Sequence, residues 1–113
     1  MKVIIEVPEL GNFTHHAEIG ISPDLYPSGR AVEALRAATY KTKYLILRTI
    51  AEHGGRARYK DINKVVQHSA LNQHLKGLIY LGLVEKTSWG EYALTPFGIA
   101  VLAVVSAVGT MEK

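Results

Sequence analysis

The amino-acid sequence predicts an α+β fold that is mostly α-helical, and three observations lead to this prediction. Residues 2–7 are apolar and β-branched, which favours a strand near the start of the chain. From residue 28 onward, apolar residues recur at spacings of three and four, which indicates helices with one buried face. Residues 69–97 then combine a short helical pattern, a Gly-Leu-Val stop and two short β-type runs, which indicates a helix followed by a tight two-stranded ribbon.

Length and composition describe one globular domain. The chain has 113 residues, of which 48% are apolar and 20% charged, and these values exclude a disordered protein. The absence of cysteine excludes a disulfide framework and a thiolate zinc site, and it is compatible with a reducing cytoplasm. The first apolar run is too short for a signal peptide. We therefore expect a cytoplasmic, nucleoid-associated protein with no membrane segment.

Positive charge is concentrated in the middle of the chain. Residues 1–27 contain one Lys and four acidic residues (net −3), residues 28–76 contain ten Lys or Arg and three acidic residues (net +7), and residues 77–113 contain two Lys and three Glu (net −1). Sequence-independent attraction to phosphate depends on such a local excess more than on a high total charge. A solvated basic helical surface would have the same composition, so charge alone leaves both interpretations open.

The first half of the chain is predicted to contain a β-hairpin and a long helical segment. Residues 1–27 form the hairpin, with strands at 2–7 and 13–21 and a turn at Pro8, Gly11 and Asn12. Helix follows over residues 28–53, with Ser28 as N-cap and two glycines at its end. The run at 39–42 weakens helix propensity, so two helices joined by a bend are an alternative. The predicted buried stripe comprises Leu35, Ala38, Tyr44, Leu45, Leu47, Ile50 and Ala51.

The next segment is predicted to be a short strand followed by a short helix. Residues 56–59 are expected to form a strand that pairs with the later ribbon. Residues 60–67 are expected to form a helix with Ile62, Val65 and Val66 facing inward.

The order of elements through residue 95 predicts a winged helix-turn-helix over residues 28–95. After a turn, Ser69 is the predicted N-cap of a recognition helix at about residues 69–81. The buried face of this helix comprises Leu71, Leu75 and Leu78, which lie four and three residues apart. Gly82 ends the helix, and residues 83–95 form the wing with its tip at residues 88–90.

Residues 96–113 are predicted to form a hydrophobic C-terminal dimerisation helix. Thr95 can cap its start, Pro96 fits its first turn, and residues 97–108 carry no charge. A membrane-spanning helix needs about 20 such residues, and this run has about a dozen. A helix that is apolar all round must be buried, and 113 residues offer little room to surround it. Burial against the same helix of a second copy is therefore favoured over internal burial and over contact with a membrane.

Three short motifs resemble those of the winged-helix transcription regulators, the broad group of MarR-, PadR- and ArsR-like bacterial and archaeal proteins. They are His-Leu-Lys-Gly-Leu at 74–78, Leu-Gly-Leu-Val at 81–84 and Tyr-Ala-Leu-Thr-Pro-Phe-Gly at 92–98. The likeness covers about residues 40–98, and the small, cysteine-free chain looks most like archaeal members. The resemblance implies a dimer that binds double-stranded DNA with the recognition helix in the major groove.

Five residues of the predicted recognition helix are candidates for contact with bases. They lie opposite the leucine face in the first turns, which reach deepest into the groove: Ser69, Ala70, Asn72, Gln73 and Lys76. The amides of Asn72 and Gln73 can pair in bidentate fashion with adenine, and Lys76 suits the acceptors of guanine or a phosphate. The alternative is that these are ordinary solvated polar residues.

Phosphate contacts are expected from cations around this helix. The six candidates are Lys41, Lys43, Arg56, Arg58, Lys60 and Lys64, and we expect about half of them to touch DNA. The candidates in the wing are Lys86, Ser88 and Trp89. Trp89 is expected either to lie along the minor groove or sugar backbone, or to pack on protein, its own chain or a dimer partner. The wing has fewer cations than the wings of many members of the family.

Other chemistry is not indicated. Two adjacent histidines, His15 and His16, would point to opposite faces of a strand, and no His-x-x-x-His pair occurs, so we expect no metal site and no cofactor. The sequence has no phosphate-binding glycine loop and no nucleophile elbow. We therefore do not expect an enzyme.

The leading hypothesis is sequence-specific binding of double-stranded DNA by a dimeric transcription regulator. A sequence-tolerant nucleoid protein would share the fold and differ in its specificity. The alternative from another class is a winged helix that binds proteins within a larger transcription, replication or segregation assembly. The acidic N-terminal hairpin and the apolar C-terminal helix would then be docking surfaces.

Overall fold

A computed structural model describes residues 2–6, 16–20, 29–67 and 69–112 of the chain. Within these residues it contains five helices and five short strands. Two of the strands form one antiparallel pair, and the other three form a small antiparallel sheet. The fold is therefore α+β and mostly α, which confirms the predicted class.

The N-terminal strands pair with each other and lie against the C-terminal helix. Strand β1 (Lys2–Glu6) is antiparallel to β2 (His16–Gly20), and both contact that helix. The two predicted strands are thus confirmed with shorter bounds. The predicted turn between them and the predicted N-cap Ser28 lie outside the described residues.

The long helical segment is two helices joined at Tyr40. Helix α1 (Gly29–Thr39) and helix α2 (Lys41–Glu52) are separated by this residue, whose backbone is extended with φ −70° and ψ 133°. The Thr39 hydroxyl donates a hydrogen bond to the Arg36 carbonyl at 2.7 Å. A side chain that bonds the backbone in this way competes with helix continuation. The bend between two helices, one of the two alternatives from the sequence, is confirmed.

The buried face of α1 is displaced by one residue from the predicted stripe. Helix α1 buries Ala34, Ala37 and Ala38, whereas Leu35 is 38% exposed, so its assignment to the core was wrong. Successive helical residues are about 100° apart, and a face centred on the three alanines therefore turns Leu35 outward. The predicted stripe holds better in α2, whose buried residues are Ile46, Leu47, Thr49, Ile50 and Ala51, with Tyr44 and Leu45 partly buried.

Two consecutive glycines end α2. Gly54 and Gly55 have φ angles of 81° and 94°, a region that residues with a side chain rarely adopt. Their N–H groups donate to the carbonyls of Ala51 (3.0 Å) and Ile50 (2.9 Å), which would otherwise lack partners at the helix end. The predicted end of the helix is confirmed.

Strand β3 (Arg56–Arg58) is followed at once by helix α3 (Tyr59–Val65). The predicted strand included Tyr59, which is instead the first helical residue. Helix α3 buries Ile62, and Val66 just beyond its end is also buried, whereas Val65 is 57% exposed. The predicted inward position of Val65 was wrong, because a face that contains residues four apart leaves the intervening neighbour about 100° away.

Helix α4 (Leu71–Tyr80) is followed by two strands that complete a three-stranded sheet with β3. Gly82 ends that helix with a φ of 78°, and strands β4 (Val84–Ser88) and β5 (Glu91–Leu94) form a hairpin. Strand β5 lies in the centre, between β3 and β4. The predicted pairing of the early strand with the later ribbon is confirmed.

Helix α5 (Pro96–Met111) starts as predicted from its Thr-Pro sequence. The Thr95 hydroxyl accepts a hydrogen bond from the Gly98 N–H at 2.9 Å and donates one to the Gly82 carbonyl. These bonds satisfy a free N–H of the first turn and tie the start of α5 to the end of α4.

One face of α5 is buried within its own chain. The helix contacts α1, α2, β5 and both N-terminal strands, and its buried residues are Gly98, Val101, Leu102, Ala103 and Ser106. Internal burial, the less favoured alternative, thus accounts for one face of the helix, whereas Phe97, Val108 and Met111 are exposed and dimerisation through α5 remains a prediction. No helix in the described ranges combines the length and apolarity needed to cross a membrane.

Candidate nucleic-acid interface

Helix α4 has one buried apolar face, and its exposed residues are polar in the first turns and include Ile79 and Tyr80 at its end. Leu71, Leu75 and Leu78 are almost completely buried in the core, as predicted. Asn72, Gln73 and Lys76 are exposed on other sides of the helix. The buried leucines hold the helix in place, and the two amides and the ammonium are therefore presented on a rigid element.

The start of α4 differs from the prediction. The helix begins at Leu71, so the N-cap position belongs to Ala70, which has no side-chain cap. Ser69 stands one residue too early to serve as N-cap, and that prediction was wrong. Ser69 is exposed and Ala70 is half-buried. As candidates for base contact, Ser69 can offer a hydroxyl, whereas Ala70 can offer only a methyl group.

Three of the candidate phosphate-binding lysines are spread over α2 and α3. Lys41 begins α2 and is exposed, and Lys64 is exposed in the last turn of α3. Lys43 is half-buried, and its Nζ lies 5.1 Å from the centroid of the Tyr40 ring. In the described part of the chain, no carboxylate lies within ion-pair distance of any of these lysines.

The remaining candidates, Arg56, Arg58 and Lys60, lie on or just after β3. Arg56 Nε is 3.6 Å from the Glu91 carboxylate, which partly neutralises both groups. Arg58 and Lys60 are exposed and line a cleft between the start of α3 and the tip of the β4–β5 hairpin. The structure thus brings two of the six candidates together with the predicted wing.

Trp89 stands at the tip of this hairpin and is 94% exposed. The Nζ of Lys86 lies 4.8 Å from the centroid of the indole ring. Gly90, with a φ of 68°, and a register shift between Lys86 and Ser88 turn the chain at the tip. The expectation that Trp89 packs on its own chain was therefore wrong, and contact with nucleic acid or with another molecule remains a prediction.

The cleft beside the tip has a volume of about 460 Å³. Its lining residues are Arg58, Tyr59, Lys60, Ser88, Trp89, Gly90 and Glu91. Among them Glu91 is the acidic residue, and its carboxylate also accepts a hydrogen bond from the Thr87 hydroxyl at 2.8 Å. Two cations, an exposed indole and a phenol ring therefore surround a space of ligand size.

Sequence reasoning did not identify Tyr59 as part of this site. The Tyr59 N–H donates to the Gly90 carbonyl at 2.7 Å, which attaches the hairpin tip to the start of α3. An aromatic residue between two cations, in Arg-Tyr-Lys at 58–60, was the available signal. This sequence does not show how close Tyr59 lies to the hairpin tip, because that distance depends on the pairing of β3 with β5.

A second contact that sequence reasoning did not identify joins the start of α1 to the end of α4. The Arg30 guanidinium donates to the Tyr80 carbonyl at 2.6 Å and lies 5.9 Å from the centroid of the Tyr80 ring. Arg30 thereby satisfies a carbonyl in the last turn of α4, where a cation is also favoured by the helix dipole.

Tyr92 is buried in the central strand β5, next to Glu91 in sequence. Burial raises the pKa of the Tyr92 phenol above its ordinary value, and the neighbouring Tyr59 raises it further. The neutral phenol is therefore the form that the folded protein favours.

Comparisons with protein-family models, with curated proteins and with solved structures found no match. The functional argument therefore depends on the geometry and the charges described above.

Proposed function

We propose that this chain is a winged helix-turn-helix protein that binds double-stranded DNA as a dimer, with α4 in the major groove. The observation that carries the proposal is the exposed face of α4, where Asn72, Gln73 and Lys76 are uncovered. Amide and ammonium groups on a short helix are the groups that read base edges in the major groove.

The charge around this face favours a polyanionic partner. No Asp or Glu occurs between Asp61 and Glu85, a stretch that includes all of α4. Lys60 and Lys64 on α3 and Arg58 on β3 are exposed, without a carboxylate at ion-pair distance in the described residues. Cations in this position would neutralise backbone phosphates while α4 reads the bases.

The dimeric state is supported by apolar side chains that the chain does not cover. Val108 and Met111 are exposed at the end of α5, and Val32 and Leu35 are exposed on α1, which packs against α5. A second copy related by a two-fold axis would cover such side chains and place two copies of α4 on successive turns of DNA.

Fluorescence anisotropy of a labelled mixed-sequence duplex, titrated at several salt concentrations, tests DNA binding. We expect the logarithm of the association constant to fall linearly with the logarithm of salt, with a slope of about −0.9 per phosphate contact. A folded protein that fails to bind at about 50 mM salt would contradict the proposal and favour the protein-binding alternative.

Selection of preferred sites from a random duplex library tests base reading by α4. Gln73→Ala is expected to relax the preference at one base pair by about 1–3 kcal/mol, because the bidentate amide contact is lost. Asn63→Ala is the matched control, since its amide is also exposed but lies on α3. Unchanged preference in Gln73→Ala would contradict the assignment, and weak preference in the wild type would indicate a sequence-tolerant nucleoid protein instead.

A further inference from the structure

Duplex binding through α4 does not explain why Trp89 is exposed at the hairpin tip beside several cations. It is the only tryptophan of the chain, and it is 94% exposed. An indole that packs normally buries roughly 150–250 Å² of surface, so its exposure leaves a large apolar area in water. Lys86 places its ammonium 4.8 Å from the ring centroid, and the rest of the ring is open to solvent.

The tip that carries Trp89 is attached to the body of the protein. The Tyr59 N–H donates to the Gly90 carbonyl at 2.7 Å, and Gly90 itself turns the chain with a φ of 68°. The backbone of Arg58 lies opposite that of Glu91 in the antiparallel register of β3 and β5. The indole is therefore presented by a hydrogen-bonded hairpin beside α3, which limits the entropy that a ligand must remove on binding.

The cleft next to the indole suits a ligand with both an aromatic ring and negative charge. Arg58 and Lys60 line its 460 Å³ volume together with Trp89. The acidic lining residue, Glu91, is already engaged by the Thr87 hydroxyl at 2.8 Å and by Arg56 at 3.6 Å. The cations of Arg58 and Lys60 are thus left for an anion from outside, and the indole for a flat ring.

We propose that Trp89 stacks on an unpaired nucleobase of a DNA strand while Arg58 and Lys60 bind the phosphate beside that base. Aromatic side chains stack on bases of any sequence, and cations along the backbone complete such sites. The bases in the interior of an intact duplex have their faces covered by their neighbours, so away from the duplex ends only an unpaired base can use the indole in this way. This inference rests on the proposed DNA binding and extends it to bulges and single-stranded ends.

The test compares three labelled duplexes of one sequence by anisotropy: intact, with one unpaired nucleotide, and with an abasic nucleotide at the unpaired position. We expect the duplex with the unpaired base to bind about 5- to 150-fold more tightly than the other two, the range for one base–aromatic stack. The abasic duplex has the same phosphates and lacks only the base, so its weaker binding assigns the difference to the base.

Intrinsic fluorescence supplies a second readout, because Trp89 is the only indole. The unpaired base is expected to quench it, and the abasic duplex is not. Trp89→Ala should abolish the preference for the unpaired base, and Trp89→Phe should retain part of it. Tyr40→Ala is the matched control, since Tyr40 is also exposed and has a lysine, Lys43, 5.1 Å from its ring centroid, but does not line the cleft.

The outcomes separate this inference from the proposed function. Equal binding of all three duplexes without quenching would overturn the stacking role and leave duplex binding intact. Absence of binding to all three duplexes, together with absence of quenching by a free single strand, would overturn both. Quenching by a free single strand without any duplex binding would support stacking and overturn the duplex-binding role of α4. Equal quenching by adenosine 5′-monophosphate at the same concentration would overturn the DNA strand as occupant and assign the cleft to a free nucleotide.

Discussion

Glu91 is the residue whose neighbours decide the charge of the cleft. From the sequence alone, Glu91 is an acidic residue of the predicted wing, and its carboxylate would be expected to repel phosphate. In the structure the Thr87 hydroxyl and the Arg56 guanidinium both engage its carboxylate. Arg58 and Lys60 consequently have no ion pair among the described residues, which makes the cleft suitable for an anion.

Tyr92 provides a prediction about pH at the same scale. Burial, with a further contribution from Tyr59, raises the pKa of its phenol above the ordinary value of about 10. The stabilisation from burying the neutral phenol is fully present below the unfolded pKa and is lost as pH rises through the folded pKa. We expect the free energy of unfolding to fall above pH 10 by at most about 1.4 kcal/mol per pH unit from this group.

Urea denaturation of the wild type and Tyr92→Phe over a series of alkaline pH values measures this contribution. The difference in unfolding free energy between the two proteins should be constant below about pH 10 and should shrink as pH rises further. Tyr40→Phe removes a phenol from an exposed position and is the control. A difference between wild type and Tyr92→Phe that does not depend on pH would contradict the burial argument.

At the scale of elements, the start of α5 passes close to the backbone that joins α4 to β4. A side-chain carbon at Gly98 would lie 1.9 Å from the Leu83 carbonyl oxygen, so only glycine fits where α5 passes that backbone. The Thr95 N–H donates to the same carbonyl at 3.1 Å. The residues of the Leu-Thr-Pro-Phe-Gly motif therefore have physical roles. Thr95 caps α5, Pro96 fits its first turn, and Gly98 allows the close approach to Leu83.

Gly98→Ala is therefore expected to destabilise the protein by at least about 1–3 kcal/mol, because the backbone of β4 or α5 must shift. Gly109→Ala in the same helix is the matched control, since nothing lies within 4 Å of the added carbon. It should be neutral or stabilising by up to about 1 kcal/mol, as alanine is the better helix former. Denaturant unfolding of both variants measures this contrast, and equal stabilities would refute it.

At the scale of the whole molecule, the candidate DNA-binding residues and the exposed apolar residues of α5 lie on different elements. Arg58 and Lys60 line the cleft at the hairpin tip, whereas the exposed apolar residues of α5 lie at its ends: Phe97, Val108 and Met111. Separate surfaces for a polyanion and for a second copy are what a dimeric DNA-binding protein requires. The protein would use the sheet and α5 to hold the two surfaces in fixed relation.

Sedimentation velocity tests this arrangement. The wild type is expected to sediment as a dimer, and Val108→Glu is expected to raise the dissociation constant at least tenfold, because a charge would be buried without a partner. Val65→Glu is the matched control, since Val65 on α3 is 57% exposed and Val108 is 59% exposed. A monomeric wild type, or equal effects of both substitutions, would contradict dimerisation through the end of α5.

The sequence by itself determined the features that depend on neighbours along the chain. The spacing of Leu71, Leu75 and Leu78 predicts the buried face of α4, because a helix brings residues three and four apart to one side. Gly54 and Gly55 end α2, and Thr95 with Pro96 starts α5, through backbone conformation and local hydrogen bonds. For the same reason, the order of helices and strands and the candidate face of α4 could be predicted.

Only the tertiary structure decided which faces of α1 and α3 are buried and which distant residues come into contact. Leu35 and Val65 are exposed because the packed partner lies one residue further round the helix, and sequence spacing leaves that choice open. The internal burial of α5, the pairing of Arg56 with Glu91 and the cleft at Trp89 all join residues far apart in sequence. Their proximity depends on strand pairing and helix docking, whose energies are summed over the whole core, and no local pattern contains them.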